Sequence, residues 1–221
     1  MIEVVTPDNE SRYRDQMDQA FRLRHRTFFE EQGWDGPADP DACALDEFDD
    51  KHAVHMLYVE KGTVFGYQRL LPTTGPHVLS DILPQLCIDE PLVGPHIWEL
   101  SHQCIDPAHP WGKHATRPIA SALGAALVEW GLGCGVTQCV FPIDVAGILP
   151  LAQLHFEPVP LGLPCKIRGR DMIAVMVSLN NRALWRLRWL RGSQENVLAS
   201  PPWPSFHALV KGDSFPSLSL Q

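Results

Sequence analysis

The spacing of hydrophobic and polar positions predicts an alternating series of helices and strands. Near the start of the chain, Tyr13, Met17, Phe21 and Phe28 fall on one face of a helix. Further along, period-two alternation and turn residues predict strands. The predicted elements are, in chain order, a helix over 10–32, a β-hairpin with strands over 53–60 and 63–71, a strand over 97–105, a helix over 116–131, a strand over 136–141, a short helix over 145–155 and a long strand over 166–179. This order predicts an α/β fold in which helices cover a mixed sheet.

Two charged residues interrupt this pattern. Arg24 lies on the apolar stripe of the first helix, and Glu99 lies in the middle of a predicted strand, between Trp98 and Leu100. An unpaired buried charge is too costly to keep, so Arg24 either extends to water or meets a carboxylate inside the protein. Glu99 requires a similar explanation.

The remaining segments predict a loop and a separate C-terminal region. Residues 35–50 contain seven acidic side chains, two prolines and no helical or strand period, so they predict a loop. Residues 181–191 predict a basic and aromatic helix, and the chain beyond residue 199 is rich in Pro and Ser. We therefore expect one domain over 1–180, followed by a helix and tail over 181–221.

Composition narrows the class of protein. With 221 residues, 45% of them apolar, the chain is long enough to fold on a hydrophobic core. A formal charge of −8 argues against a general nucleic-acid binder. The sequence shows no secretion signal, no membrane span and no C-x-x-C pair among its six cysteines, which predicts a cytoplasmic protein with reduced thiols and no zinc ribbon.

One set of charged residues suggests chemistry. It combines two guanidinium groups with three carboxylates on elements that an α/β sheet brings together: Arg24, Asp46, Asp49, Arg69 and Glu99. Such a set suits a polar cleft for a zwitterionic ligand, because carboxylates hold a cation and arginines hold a carboxylate. Each residue also has a purely structural interpretation, as a surface arginine, a solvated loop acid or an edge-strand residue.

These residues occur in motifs that resemble a known family. The motifs are Arg24, Phe28 and Trp34, then Asp46-Glu47-Phe48-Asp49, then Gly66-Tyr67-Gln68-Arg69-Leu70 followed by Pro72-Thr73-Thr74, and finally Trp98-Glu99-Leu100-Ser101. In this order and spacing they resemble the LuxI-type acyl-homoserine-lactone synthases, also called autoinducer synthases, which are related to the GNAT acyltransferases. A weaker cue, Pro160-Leu161-Gly162-Leu163-Pro164, resembles the branch that includes synthases using branched or aryl acyl-CoA donors.

The resemblance implies a fold, a reaction and a set of site residues. The fold would be a three-layer α/β/α sandwich with a mixed, mostly antiparallel sheet. The reaction would join S-adenosyl-L-methionine to an acyl thioester of coenzyme A or acyl carrier protein, release methylthioadenosine and need no metal or other cofactor. We therefore expect catalysis from Arg69, Glu99, Ser101 and His102, and substrate binding by Arg24, Phe28, Trp34, Asp46 and Asp49. Phe141 and Ile143 are expected to line an acyl pocket between the sheet and the helix over 116–131.

One residue departs from the family pattern. Most members have an arginine directly after the motif serine, where this chain has His102. The exchange is not conservative, because arginine is always charged whereas histidine titrates near neutral pH. Three interpretations stay open: a rewired network with activity kept, a shifted acyl donor, or a weakened relative that only binds ligand. A GNAT-like N-acyltransferase that forms no lactone is a further alternative.

Overall fold

The structure is a computed structural model that describes residues 1–31, 45–110 and 116–199. An eight-stranded sheet forms its centre, and helices cover both faces. The strands are β1 (Ile2–Val5), β2 (Val54–Glu60), β3 (Thr63–Pro72), β4 (Ile97–Ile105), β5 (Gln138–Asp144), β6 (Val159–Pro160), β7 (Cys165–Ile167) and β8 (Arg170–Ser178). The helices are α1 (Arg14–His25), α2 (Val78–Asp81), α3 (Thr116–Cys134), α4 (Ile148–Gln153) and α5 (Asn181–Arg191).

The central strands β4 and β5 differ from the other strand pairs in their direction and in how briefly they pair. The sheet runs β1-β2-β3-β4-β5-β8-β6, and β7 also pairs with β8. Only β4 and β5 are parallel, and every other pair in the described sheet is antiparallel. Although both strands continue, their pairing begins at Ile97 opposite Gln138 and ends at Glu99 opposite Val140. The predicted mixed, mostly antiparallel sheet is confirmed, with a break at its centre.

Two apolar layers hold the helices against the sheet. On one face, α3 and α5 cover a large core that includes Trp98, Trp130 and Phe141. On the other face, α1 packs on Leu57 and Tyr67. The short helix α2 packs on the same face, where Leu79 meets β5 and β8. The protein is therefore a three-layer α/β/α sandwich. Side chains on the two faces of β4 pack in different apolar layers.

Several predicted elements differ from the observed ones at their ends. The first helix becomes a π-helix over Arg26–Glu31 instead of continuing as α-helix to residue 32. The predicted strand over 166–179 is two strands, β7 and β8, because Gly169 adopts a φ of +81° and turns the chain. The strand β1 was not predicted, since four residues carry too little periodicity to detect.

The C-terminal segment packs on the sandwich as far as the structure describes it. Ala183, Leu184 and Leu187 of α5 join the core on α3, and Val197 follows them. The chain after α5 then runs beside β1, where Ile2 and Leu198 form an isolated bridge. Residues 200–221 lie outside the described residues, so the division at residue 180 stays a prediction. No helix in the described ranges is long and apolar enough to cross a bilayer.

Candidate active site

A buried ion network joins α1, the segment after residue 44 and β3. The Arg24 side chain is 2% exposed, and its Nη1 donates to Asp49 Oδ1 at 2.8 Å and Oδ2 at 2.9 Å. The Arg69 side chain is fully buried, and its Nη1 donates to Asp46 Oδ1 at 2.5 Å and Asp49 Oδ1 at 2.7 Å. Arg24 Nη2 also donates to Asp46 Oδ2 at 3.2 Å. The structure therefore selects the second expectation for Arg24, that of a carboxylate inside the protein.

Hydrogen bonds to nearby backbone N–H groups orient the two carboxylates of this network. The backbone N–H of Asp46 donates to Asp49 Oδ2 at 3.0 Å, and that of Phe48 donates to Asp46 Oδ1 at 3.0 Å. Such side-chain bonds to nearby backbone N–H groups are typical of aspartate in turns. The Phe48 ring is buried, and the Arg69 guanidinium carbon lies 5.8 Å from its centre. The motif therefore folds as a turn that presents two carboxylates to the sheet.

The ion network contains as many guanidinium groups as carboxyl groups. Burial by itself raises the pKa of Asp49, but the guanidinium groups of Arg24 and Arg69 outweigh burial and hold that pKa below its usual value. Two guanidinium charges thus face two carboxylate charges. The set is stable as a unit, because removing one partner would leave an uncompensated buried charge.

A β-bulge brings His102 into contact with this network. Ser101 pairs with Arg69 and Cys104 pairs with Tyr67, so β4 has one more residue than β3 between these pairs. His102 has a φ of +53°, in the left-handed region. Simple alternation points His102 away from the site, and the bulge turns it back toward Arg69.

The contact with Arg69 determines the proton position on His102. Arg69 Nη2 lies 3.0 Å from His102 Nδ1, and arginine has no acceptor, so Nδ1 accepts and the proton sits on Nε2. Burial and the charges of Arg24 and Arg69 lower the pKa of His102 well below its ordinary value. Arg69 Nε also donates to Ser101 Oγ at 3.0 Å. All five N–H groups of Arg69 therefore have protein acceptors: Asp46 twice, Asp49, Ser101 and His102.

Glu99 lies on the same face of β4 as Ser101, two residues earlier. Its side chain is fully buried, and it accepts hydrogen bonds from the backbone N–H of Val78 at 3.1 Å and of Leu79 at 2.7 Å. Burial raises the pKa of Glu99 to about 7, even though both N–H bonds favour the carboxylate. The carboxyl group is thus suited to exchange a proton near neutral pH. It also lies at the last residue pair between β4 and β5.

Sequence patterns missed the groups that support these side chains. Tyr67 OH accepts from Arg24 Nη1 at 3.2 Å and lies 2.9 Å from His55 Nδ1, so two buried residues extend the network behind Arg24. Tyr67 falls within a recognised motif, but nothing in the sequence marks His55 as its partner. The backbone donors of Val78 and Leu79 leave no signal in side-chain chemistry, and only the structure reveals them.

The remaining predicted residues are placed as follows. The Phe28 ring lies edge-on to His102, with 5.0 Å between ring centres. Phe141 and Ile143 lie with the core on the α3 side, whereas Glu99 faces α2. Their predicted contact with the acyl chain requires the chain to cross the sheet at the β4–β5 break. Trp34 lies outside the described residues. Among the described residues, no group of three or more His, Cys, Asp or Glu side chains is arranged to hold a metal ion.

Known proteins match this chain in sequence and in structure. A family model described as autoinducer synthase matches residues 8–149. The isovaleryl-homoserine lactone synthase of Bradyrhizobium diazoefficiens is 31% identical over 83% of this chain and 82% of its own length. The acyl-homoserine-lactone synthase of Pseudomonas aeruginosa is 26% identical over 87% of this chain and 96% of its own length.

The structural match is equally extensive. The coenzyme-A-dependent acyl-homoserine lactone synthase BjaI, solved with SAM and isopentyl-CoA, superimposes with a TM-score of 0.86. It is 28% identical in sequence, and the match covers 96% of this chain and 98% of BjaI. The predicted GNAT-like α/β fold and the predicted family are both confirmed. The chain belongs to the autoinducer synthase family.

Proposed function

We propose that this chain is an acyl-homoserine-lactone synthase that uses S-adenosyl-L-methionine and a branched acyl-CoA and releases methylthioadenosine. The observation that carries the proposal is the position of Glu99. A buried carboxyl group with a pKa of about 7 lies beside a balanced ion network and at the break between β4 and β5. Complexes of BjaI with SAM and isopentyl-CoA, and with MTA, support the choice of substrates and product.

Glu99 supplies the base for the first step. The α-amine of S-adenosyl-L-methionine is protonated in water and must lose that proton before it attacks a thioester carbonyl. Glu99, ionised above a pH of about 7, takes the proton directly or through one water. The amine lone pair then forms the C–N bond of the amide and the C–S bond of the thioester breaks. The thiolate of coenzyme A leaves with that electron pair and takes up the proton that the nitrogen loses.

The end of the pairing between β4 and β5 leaves backbone groups that can face the thioester carbonyl. Beyond Glu99 and Val140, no residue pair joins β4 to β5 in the described strands. We assign the developing oxyanion to backbone N–H groups along this unpaired edge, because such donors stabilise it most when they are fixed and shielded from water. An apolar cluster beside Glu99 that includes Val140, Leu79 and Ala174 borders the same break.

We assign the ion network to positioning S-adenosyl-L-methionine, without a part in making or breaking bonds. Since every N–H of Arg69 has a protein acceptor, Arg69 contributes by fixing Asp46, Ser101 and His102. In the second step, the methionyl carboxylate attacks its own γ-carbon, the C–S bond breaks, and methylthioadenosine leaves with the electron pair as the lactone closes. This intramolecular displacement depends mainly on placement, for which effective molarity is large.

The segment over residues 160–164, together with the similarity to an isovaleryl-homoserine lactone synthase, supports a branched acyl-CoA donor. The segment Pro160-Leu161-Gly162-Leu163-Pro164 resembles the branch of the family that uses branched or aryl acyl-CoA. The structure shows why Gly162 is needed there, because a Cβ at this position would lie 2.1 Å from the backbone oxygen of Leu86. The loop therefore packs closely on the segment after α2, and Leu161 joins the apolar cluster beside Glu99.

Replacing Glu99 by glutamine tests the base. We expect kcat/KM to fall by about 10²–10⁴-fold, because glutamine cannot accept the proton. In the unmodified protein, kcat/KM should fall about tenfold per pH unit below a pH of about 7, as Glu99 becomes protonated. In E99Q the decline should instead begin at a pH of about 8, because the rate then follows the fraction of free α-amine of S-adenosyl-L-methionine. The exposed variant E90Q serves as control, and an unchanged rate and pH profile in E99Q would exclude Glu99 as the base.

Replacing His102 tests the departure from the family. His102→Arg removes the acceptor for Arg69 and adds a third guanidinium, so we expect slower turnover and a lower melting temperature. His102→Asn is the matched control, because its amide oxygen can accept the same hydrogen bond and asparagine tolerates a positive φ. Equal rates, donor preferences and melting temperatures for the arginine and asparagine variants would show that the contact with Arg69 has no role.

Product analysis tests the reaction as a whole. The purified protein is incubated with S-adenosyl-L-methionine and straight, branched or aryl acyl-CoAs, with acyl carrier protein thioesters in parallel, and products are identified by mass spectrometry. We expect acyl-homoserine lactone and equimolar methylthioadenosine, formed fastest from a branched acyl-CoA. Acylated amine without methylthioadenosine would instead indicate an N-acyltransferase, and binding without turnover would indicate a weakened relative.

A further inference from the structure

The short helix α2 supplies the two backbone N–H groups that bind Glu99, and it is too short to be stable by itself. It has four residues, about one turn, and a turn of that size needs contacts from outside the helix. Its apolar contacts with the sheet come from Leu79, which is 1% exposed, and from the half-buried Val78. Because apolar packing is not directional, polar contacts are needed to aim the N–H groups at the carboxylate.

His77, the residue directly before α2, is bonded to the helix through its backbone. Its N–H donates to Asp81 Oδ2 at 3.0 Å and to Ser80 Oγ at 3.3 Å. Its carbonyl oxygen accepts from Ser80 Oγ at 2.9 Å. The first turn of α2 is therefore fixed relative to His77, and whatever holds His77 also holds the turn.

The buried imidazole ring of His77 ties this turn to the preceding loop. Its Nδ1 lies 3.0 Å from the carbonyl oxygen of Gly75 and 3.0 Å from Ser80 Oγ. A carbonyl oxygen only accepts, so Nδ1 carries a proton and donates it. The backbone N–H of Gly75 in turn donates to the carbonyl oxygen of Pro72 at 3.2 Å, at the end of β3. The ring thus connects α2 to a strand of the sheet.

The other ring nitrogen of His77 contributes no such contact. Nε2 is buried and has no hydrogen-bond partner among the residues that the structure describes. A buried polar atom without a partner is unfavourable, so stability by itself would favour a side chain without that nitrogen. Within the described chain, the polar contacts of the ring go through Nδ1 alone.

The surroundings of Glu99 show what the turn controls. Burial raises the pKa of Glu99 to about 7, whereas the N–H groups of Leu79 and Val78 lower it by binding the ionised form. The other titratable groups that interact electrostatically with Glu99 in the described chain are Arg69, Asp81, Cys87 and Cys139. Burial raises the pKa of both thiols, which therefore stay neutral near pH 7. The two N–H groups are thus the contribution of α2 that favours the carboxylate.

We propose that His77 is a positioning residue for Glu99. Its Nδ1–H bond to Gly75 holds the first turn of α2 so that the N–H groups of Val78 and Leu79 point at the carboxylate. Without this bond Leu79 still packs on the sheet, but the N–H groups are free to turn away, and the ionised form of Glu99 loses hydrogen bonds. The effect on the rate rests on the proposed function, whereas the effect on Glu99 itself is measurable without turnover.

Titration of Glu99 in the variant His77→Leu tests the proposal in the unliganded, full-length protein. Leucine has a volume close to that of histidine, so it keeps water out and removes the polar contact. Carbon-13 NMR follows glutamate labelled at its side-chain carboxyl carbon, and the Glu99 signal is the one absent from E99Q. We expect the titration midpoint of Glu99 to lie about one pH unit higher in H77L, as expected when about one N–H bond to a carboxylate is lost. An unchanged midpoint in folded H77L would overturn the proposal.

Two amide variants separate the roles of the ring nitrogens. The amide N–H of H77N reaches the place of Nδ1 and should restore the midpoint, whereas that of H77Q reaches the place of Nε2 and should leave the midpoint raised. H96L is the matched control, because His96 places Nδ1 2.8 Å from the carbonyl oxygen of Gly135 at an exposed position outside α2. The melting temperature verifies that each variant is folded. Equal midpoints in H77N and H77Q would contradict the role of Nδ1, even if H77L does not fold.

The pH dependence of the rate provides a readout that a simple loss of stability would not give. A raised midpoint lowers the ionised fraction of Glu99 near neutral pH, so kcat/KM of H77L should be about fivefold lower at about pH 7 and nearly unchanged at about pH 9. A reduction of equal size at both pH values would show that His77 only supports the fold. If Glu99 is not the base, the rate difference disappears while the shifted titration of H77L remains, so the two failures are distinguishable.

Discussion

The burial of two guanidinium groups is the constraint on which the site depends. Arg24 and Arg69 are almost completely removed from water, and such charges are tolerated only when carboxylates and further acceptors surround them. Asp46 and Asp49 meet this need, and in doing so they hold the turn that contains Phe48 against the sheet. The ion network is therefore both the structural link between α1 and β3 and the wall of the candidate active site.

The same constraint determines which residues are left for chemistry. Because the N–H groups of Arg69 are all engaged, and because two positive charges face two negative ones, the network contributes little net charge to the cleft. Glu99 lies outside the network and accepts hydrogen bonds from backbone N–H groups. Those bonds favour the carboxylate, but burial outweighs them and raises the pKa of Glu99 to about 7. A family arginine at position 102 would add a positive charge. His102 instead accepts a hydrogen bond from Arg69 as a neutral ring, so the balance is kept with different chemistry.

Much of this arrangement could be predicted from the sequence, but only where periodicity or a motif marked it. The apolar stripe of α1 identified Arg24 as anomalous, and alternation in β4 gave the strand with its bounds and identified Glu99. Alternation alone could not place His102, because a bulge reverses the side to which a residue points and leaves no trace in the hydrophobic pattern. The groups of α2 that bind Glu99 are backbone N–H groups, which no residue type marks. His55 lies beside Tyr67 because of the register between β2 and β3. Tertiary pairing decides such contacts, and the residue types alone do not.

A double-mutant cycle between Arg24 and Asp49 tests most directly whether the network acts as one unit. The free energy of unfolding is measured in urea for R24M, D49L and the double variant. Each single replacement should cost about 3–5 kcal/mol, because it strands a buried charge of the opposite sign. The double replacement should cost less than the sum by at least about 2 kcal/mol, because both charges leave together. Single costs below about 1 kcal/mol that simply add would contradict the account and would show that the two side chains are independent.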